Sequence, residues 1–144
     1  MNRLSWEDYF IELTKLIAKR SPCLSRQVGA IIVKDNRVIA TGYNGTPSSI
    51  NPCTTCRRNQ SKSGENLHNC YAIHSEMNAI LQCAKLGIPC EGCTIYVTTK
   101  PCAYCMKHII QVGIKEVIYI EDYNSPLTDE LIKISNIKCR KYEG

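Results

Sequence analysis

Residues 74–120 read HSEMNAILQCAKLGIPCEGCTIYVTTKPCAYCMKHIIQVGIKEVIYI, and their alternation decides the fold class. Met77, Ile80, Leu81 and Ala84 recur at helical spacing and predict a helix over 74–86 whose inner face they form. Gly87 follows as the expected C′ residue. Thr94 to Thr98 is a short run rich in β-branched residues and predicts a strand. Pro101 stands where the first turn of a second helix is expected, running to about Val112 and stopping at Gly113. Glu116 to Ile120 then reads as another strand. Helix, strand, helix, strand in this order argues for helices covering a sheet.

The flanks extend the alternation. Ser5 reads as a helix N-cap with Asp8 at the capping-box position, and Trp6, Tyr9, Phe10, Leu13, Leu16 and Ile17 give that helix its expected core face. Val28 to Val33 reads as a buried strand, Asp35-Asn36 as a turn, and Arg37 to Thr41 as the returning strand. Thr128 to Ser135 predicts a short helix and Ile137 to Tyr142 a last strand. The expected architecture is α/β: a three-layer α/β/α sandwich around a mixed five-stranded sheet, as a single domain over residues 1–144. Residues 42–71 carry no regular pattern, which is uncommon in a compact domain unless the segment is functional or cross-linked.

Composition narrows the setting. Arg3, Glu7, Asp8, Glu12, Lys15, Lys19 and Arg20 leave no apolar core for a signal peptide, and no later run reaches membrane-spanning length. A cytoplasmic protein without a membrane partner is expected. The chain has ten cysteines. Thiols stay reduced in the cytosol, so metal binding is the leading explanation for some of them. Cys83 lies on an apolar helix face and reads as a core residue, and Cys90, Cys93 and Cys139 carry no motif. The formal net charge of +5 suits a small phosphate-bearing substrate and equally an ordinary solvated surface.

Two motifs carry chemistry: His74-Ser75-Glu76 and Pro101-Cys102-Ala103-Tyr104-Cys105. Cys102 and Cys105 are three apart at a helix start and share one face. With His74 they make a three-ligand zinc set, which leaves a fourth position for water, the arrangement of a catalytic site. Helix N-termini at both motifs favour thiolate over thiol. Zinc lowers the pKa of its water from ~16 towards ~7, so hydroxide is available to attack C4 of a cytosine ring. Protons must then reach a ring nitrogen and the departing amine, and Glu76 is the candidate shuttle. Helical rotation alone does not put Glu76 beside His74, since two residues turn about 200°. Taken singly, Cys-x-x-Cys also fits a redox pair or half of a structural zinc site.

The paired motifs match the H-x-E…P-C-x-x-C signature of zinc nucleobase deaminases. The chain resembles that superfamily, and along nearly its whole length it resembles the deoxycytidylate deaminases of the bacterial and phage type. Leu4-Ser5-Trp6 with Tyr9-Phe10, Arg20-Ser21-Pro22-Cys23 before Val28-Gly29-Ala30, and Glu121-Asp122-Tyr123 carry the wider similarity. The resemblance implies a cytidine deaminase-like fold. It implies hydrolysis of dCMP to dUMP and ammonia by zinc-bound hydroxide with Glu76 as proton shuttle, supplying dUMP for thymidylate synthesis. The family usually has Ala in place of Ser75, where the backbone N–H holds the pyrimidine O2, so little functional change is expected from the serine. Asn44 is implied as a deoxyribose contact and Tyr123 as an aromatic contact. Gly42-Tyr43-Asn44-Gly45 resembles a segment placed beside substrate and effector nucleotides, although the same residues read physically as a glycine-bracketed turn. Relatives of this type are usually homohexamers regulated by dCTP and dTTP with Mg2+, and the resemblance implies the same here. Arg26 reads as an exposed charge, with phosphate contact as the other reading.

Cys23, Cys53, Cys56 and Cys70 form the expected second zinc site, structural in role, with His68 as a rival ligand. Many relatives of the bacterial and phage type carry an extra zinc in this region, and the resemblance implies one here. Such a site would staple the loop over 43–71 with binding energy on the order of 10 kcal/mol. Two rival functions stay open. A tRNA adenosine deaminase shares the zinc motifs but needs a basic surface, and Arg57, Arg58 and Lys62, or Lys138, Arg140 and Lys141, are short runs. No nucleic-acid partner is expected on that ground. An inactive zinc-binding interaction module is the other, against which the intact Glu76 argues.

Overall fold

The computed structural model describes residues 2–58 and 69–144. Along the chain run α1 (Trp6–Ala18), β1 (Gly29–Lys34), β2 (Arg37–Tyr43), α2 (Ser75–Leu86), β3 (Thr94–Thr99), α3 (Ala103–Gln111), β4 (Glu116–Glu121), α4 (Pro126–Ser135) and β5 (Lys138–Lys141). The strands form one five-stranded sheet in the order β2-β1-β3-β4-β5. β1 is antiparallel to β2 and β3, whereas β3, β4 and β5 run parallel, so the sheet is mixed as expected. Asp35 and Asn36 close the hairpin at positive φ, 51° and 60°, the geometry that suits strand twist. The parallel pairs require crossovers, and α3 and α4 supply them.

Alternation along the strands divides the core between two faces. Ile31, Val33, Tyr96 and Ile118 pack with Phe10 and Ile11 of α1. Ala30, Ile32, Ile95, Val97, Val117 and Tyr119 pack with Ala79, Ile80, Met106 and Ile109 of α2 and α3, and Leu131 and Ile132 of α4 join their edge. The result is the three-layer sandwich. Among the described residues no helix is long and apolar enough to cross a membrane.

Helix ends follow their local signals. Ser5 Oγ accepts from Asp8 N at 3.1 Å, and Gly87 takes the left-handed conformation at φ 70°. Two starts differ from expectation. Pro101 precedes α3 instead of entering it, because Cys102 has extended backbone and its carbonyl accepts the first helical bond from Met106. α4 begins two residues early, since Ser125 caps Thr128 N and Pro126 fits the first turn.

Two helix faces also differ from the hydrophobic pattern. On α1 the buried residues are Phe10, Ile11, Thr14 and Ala18, while Trp6, Tyr9 and Leu16 are exposed. Gly29 is the reason: a Cβ there would lie 2.5 Å from Ala18 N, so helix and strand touch at small residues and the large ones roll outward. Thr14 tolerates burial by donating to the Phe10 carbonyl at 2.7 Å. On α2, Ser75, Glu76, Ala79, Ile80 and Cys83 are buried and Leu81 is exposed. Gly42 of β2 makes the corresponding close contact, with a Cβ position 2.2 Å from Ser75 O. Cys83, Cys90 and Cys93 are buried core residues.

Candidate active site

His74 is the N-cap of α2, Cys102 is the N-cap of α3, and Cys105 lies in the first turn of α3. The His74 side chain makes no capping bond to α2 and meets the two cysteines instead. His74 Nδ1 lies 3.5 Å from Cys102 Sγ and 3.3 Å from Cys105 Sγ, and the three ligand atoms lie within 4.8 Å of one another. Zinc bonds of ~2.3 Å to sulfur and ~2.0–2.1 Å to nitrogen, set tetrahedrally, would put such atoms about 3.5 Å apart. The donor set therefore fits zinc.

Charge tells the same story. Hydrogen bonding from Cys105, aided by His74, pulls the Cys102 thiol down to about 4, against the pull of burial. The Cys105 thiol is pushed the other way by its bond to Cys102 and by burial. Two adjacent thiols, one half-buried and one buried, cannot both ionise unaided, because the second thiolate would face the first. A divalent cation between them removes that conflict. The bond to Cys102 raises His74 above its ordinary value, opposed by burial.

Glu76 lines the same cavity as His74. The rotation count that seemed to separate them fails because His74 has extended backbone at φ −64° and ψ 151°, outside the helix. Glu76 is 5% exposed. Burial raises its carboxyl above the ordinary value, and the Ser75 hydroxyl, donating to Oε1 at 2.7 Å, works against that shift. A carboxyl so placed can both accept and return a proton.

The cavity measures about 550 Å³ and is bordered by Asn44, Ser75 and Tyr123, all expected contacts. It is also bordered by Ser25, Arg26, Arg58, Thr99 and Lys100. The sequence reading missed Ser25, Thr99 and Lys100. Only the position of Lys100 immediately before Pro101 hinted at a role. Its ammonium is 2.6 Å from Asp129 and 3.9 Å from Asp122. Arg26 lies 3.2 Å from Glu121. Asn44 Oδ1 accepts from Val28 N at 2.8 Å and its Nδ2 donates to Arg26 O at 2.7 Å, so this side chain clasps the approach to β1. Of Gly42-Tyr43-Asn44-Gly45, Asn44 alone borders this cavity. Gly42 faces α2, the Tyr43 carbonyl accepts from Asn78, and Gly45 bridges to Ile73.

Cys23, Cys53, Cys56 and Cys70 border one smaller cleft, and Cys23 and Cys70 border the main cavity as well. All four are half-buried free thiols. Among the described residues, His74, Cys102 and Cys105 are the group whose ligand atoms meet at metal-binding distances. His68 lies outside the described residues.

Comparison with known proteins follows the same lines. The profile of the cytidine and deoxycytidylate deaminase zinc-binding region matches residues 4–121. ComE operon protein 2 of Bacillus subtilis (strain 168) is 44% identical over 144 residues, covering 99% of this chain and 74% of that protein. The deoxycytidylate deaminase of Mycobacterium phage D29 is 39% identical, covering 83% of this chain and 97% of that enzyme. The dCMP deaminase of cyanophage S-TIM5, in complex with dCMP and dUMP, superposes with a TM-score of 0.83. It is 26% identical and covers 99% of this chain and 100% of that one.

Proposed function

We infer, because the chain belongs to the cytidine and deoxycytidylate deaminase family, that it hydrolyses dCMP to dUMP and ammonia. One observation carries the reading: a His-Cys-Cys ligand set and a buried carboxyl converge on one nucleotide-sized cavity. His74, Cys102 and Cys105 would hold zinc. Zinc, when bound, supplies the Lewis acid that makes hydroxide available near neutral pH.

The chain's own groups do the rest. Glu76 takes a proton from water and delivers it to N3 of the ring, then takes the proton of the hydroxyl added at C4 and passes it to the departing amine. Its burial suits a group that must both accept and donate near neutrality. The Ser75 backbone N–H at the start of α2 holds the pyrimidine O2. Asn44 keeps donor and acceptor capacity beyond its two backbone bonds, and a sugar hydroxyl can use it. Tyr123 closes the cavity beside the nucleotide. Arg26, with Ser25 beside it, meets the 5′-phosphate in exchange for Glu121.

The Cys23, Cys53, Cys56 and Cys70 cleft is assigned to a structural zinc, supported by four thiols around one small space. Because Cys23 and Cys70 border both spaces, that zinc would brace the substrate wall. The homohexamer, its control by dCTP and dTTP with Mg2+, the cytoplasmic setting, and the supply of dUMP for thymidylate synthesis follow from the resemblance. The test is conversion of dCMP, deoxycytidine and dCTP by purified protein, with and without chelator, alongside a zinc count. Chelator-sensitive conversion of dCMP alone is expected. No conversion of the three, with zinc bound and dCTP tried as activator, overturns the assignment. A count near two zinc ions per chain is expected if the second cleft is filled.

A further inference from the structure

The serine at position 75 was expected to be of little consequence, since its backbone was the part in use. Its side chain is completely buried, and its hydroxyl donates to Glu76 Oε1 at 2.7 Å. Neighbouring residues on a helix point about 100° apart and do not ordinarily face each other. Here they meet because Ser75 is the first residue of α2 and has no preceding turn to hold its side chain away. The seat is tight. Gly42 of β2 approaches so closely that a Cβ would lie 2.2 Å from the Ser75 carbonyl. Ser75 cannot drift without moving the strand.

We propose that Ser75 is a positioning residue for the deamination, its hydroxyl pinning one oxygen of the Glu76 carboxylate so that the other is left for proton traffic. The inference rests on the dCMP reading and deepens it. Glu76 has two oxygens and a terminal torsion that is soft in a glutamate. A shuttle that serves two proton transfers gains from having that torsion held. Cys105, whose sulfur is the other hydrogen-bonding group beside the carboxyl, cannot take over the task as a thiolate ligand, because it then has no proton to donate. The Ser75 hydroxyl is neutral and keeps its proton throughout.

The test is Ser75→Ala, with Ser75→Thr as the variant that keeps the hydroxyl. Kinetics with dCMP are read together with zinc content, thermal midpoint and difference infrared spectra in the carboxyl region. For Ser75→Ala, kcat is expected to fall about five- to tenfold, a small part of the ~10²–10⁴-fold that a positioned acid–base group contributes. KM, zinc content and thermal midpoint should stay at wild-type values. The infrared difference should show a shifted carboxyl band that disappears when the same comparison is made in the Glu76→Gln background. Ser75→Thr should recover part of the loss. Unchanged kcat with an unshifted band overturns the proposal. So does a loss that follows zinc content or thermal midpoint, or one confined to KM. If wild-type protein does not convert dCMP, the functional reading fails while the infrared comparison still tests the hydrogen bond.

Discussion

Gly42→Ala asks whether the active site depends on the contact between β2 and α2. Gly42 sits opposite Ala30 in the sheet and faces the first turn of α2. A methyl there would lie 2.2 Å from Ser75 O, 2.6 Å from Ala79 N and 3.1 Å from Asn78 Cβ, and the two closest atoms are backbone. No rotamer change relieves such a clash. Cβ atoms do not approach closer than 3.0 Å, so helix and strand must part by at least about 0.8 Å. His74 and Glu76 flank Ser75 and move with it. A 1 Å misplacement costs ~10²-fold in rate, and overpacking costs about 1–3 kcal/mol. The expected result is kcat on dCMP reduced about a hundredfold per folded molecule. The thermal midpoint should drop by about 5–10 °C. Gly29→Ala is the control: its methyl would meet Ala18 N at 2.5 Å and Thr14 O at 2.7 Å, on the opposite face. That variant should lose comparable stability while its folded molecules keep most of their activity, since α1 carries none of the cavity residues. Wild-type kcat in Gly42→Ala, or equal loss of kcat in both variants, would refute the reasoning.

Two further outcomes are expected. Glu76→Gln keeps the shape of the side chain but cannot carry a proton, so turnover should fall by at least ~10²–10⁴-fold while zinc content is unchanged. Comparable turnover would remove Glu76 from the mechanism. Burial, with a bond to Cys90, pushes the Cys83 thiol from 9.0 to about 12. Below pH 9 both folded and unfolded chains keep that proton. Above it the unfolded thiol ionises while the folded one does not, so stability is lost as pH rises towards 12. Urea midpoints measured across the alkaline range should fall, and fall less steeply in Cys83→Ala. Parallel slopes would count against the assignment.

Much was legible in the chain because it was written locally. Ser5 with Asp8, Gly87, and Asp35-Asn36 each act within one turn of backbone, and each did what its type dictates. The His74 and Pro101-Cys102-Ala103-Tyr104-Cys105 motifs mark the three side chains whose ligand atoms the fold brings together. The rolls of α1 and α2 were not legible. Hydrophobic spacing chose Leu16 and Leu81, whereas the close contacts at Gly29 and Gly42 fall on Thr14, Ala18, Ser75 and Ala79. A hydropathy pattern registers what prefers to be buried and is blind to how closely two backbones can approach.

By itself, then, the sequence determined the order of elements, the mixed α/β class, the family and the candidate metal ligands. Those follow from short-range rules and from residue chemistry. The tertiary structure alone decided that Ser75 reaches Glu76 and that Lys100 is held by Asp129 across the start of α4. It also decided that Asn44 clasps the approach to β1 and that Ser25 and Thr99 join the cavity wall. Each of these depends on steric fit between segments or on the conformation of a helix end. Such fit is a property of surfaces brought together by folding, and no window of neighbouring residues contains it.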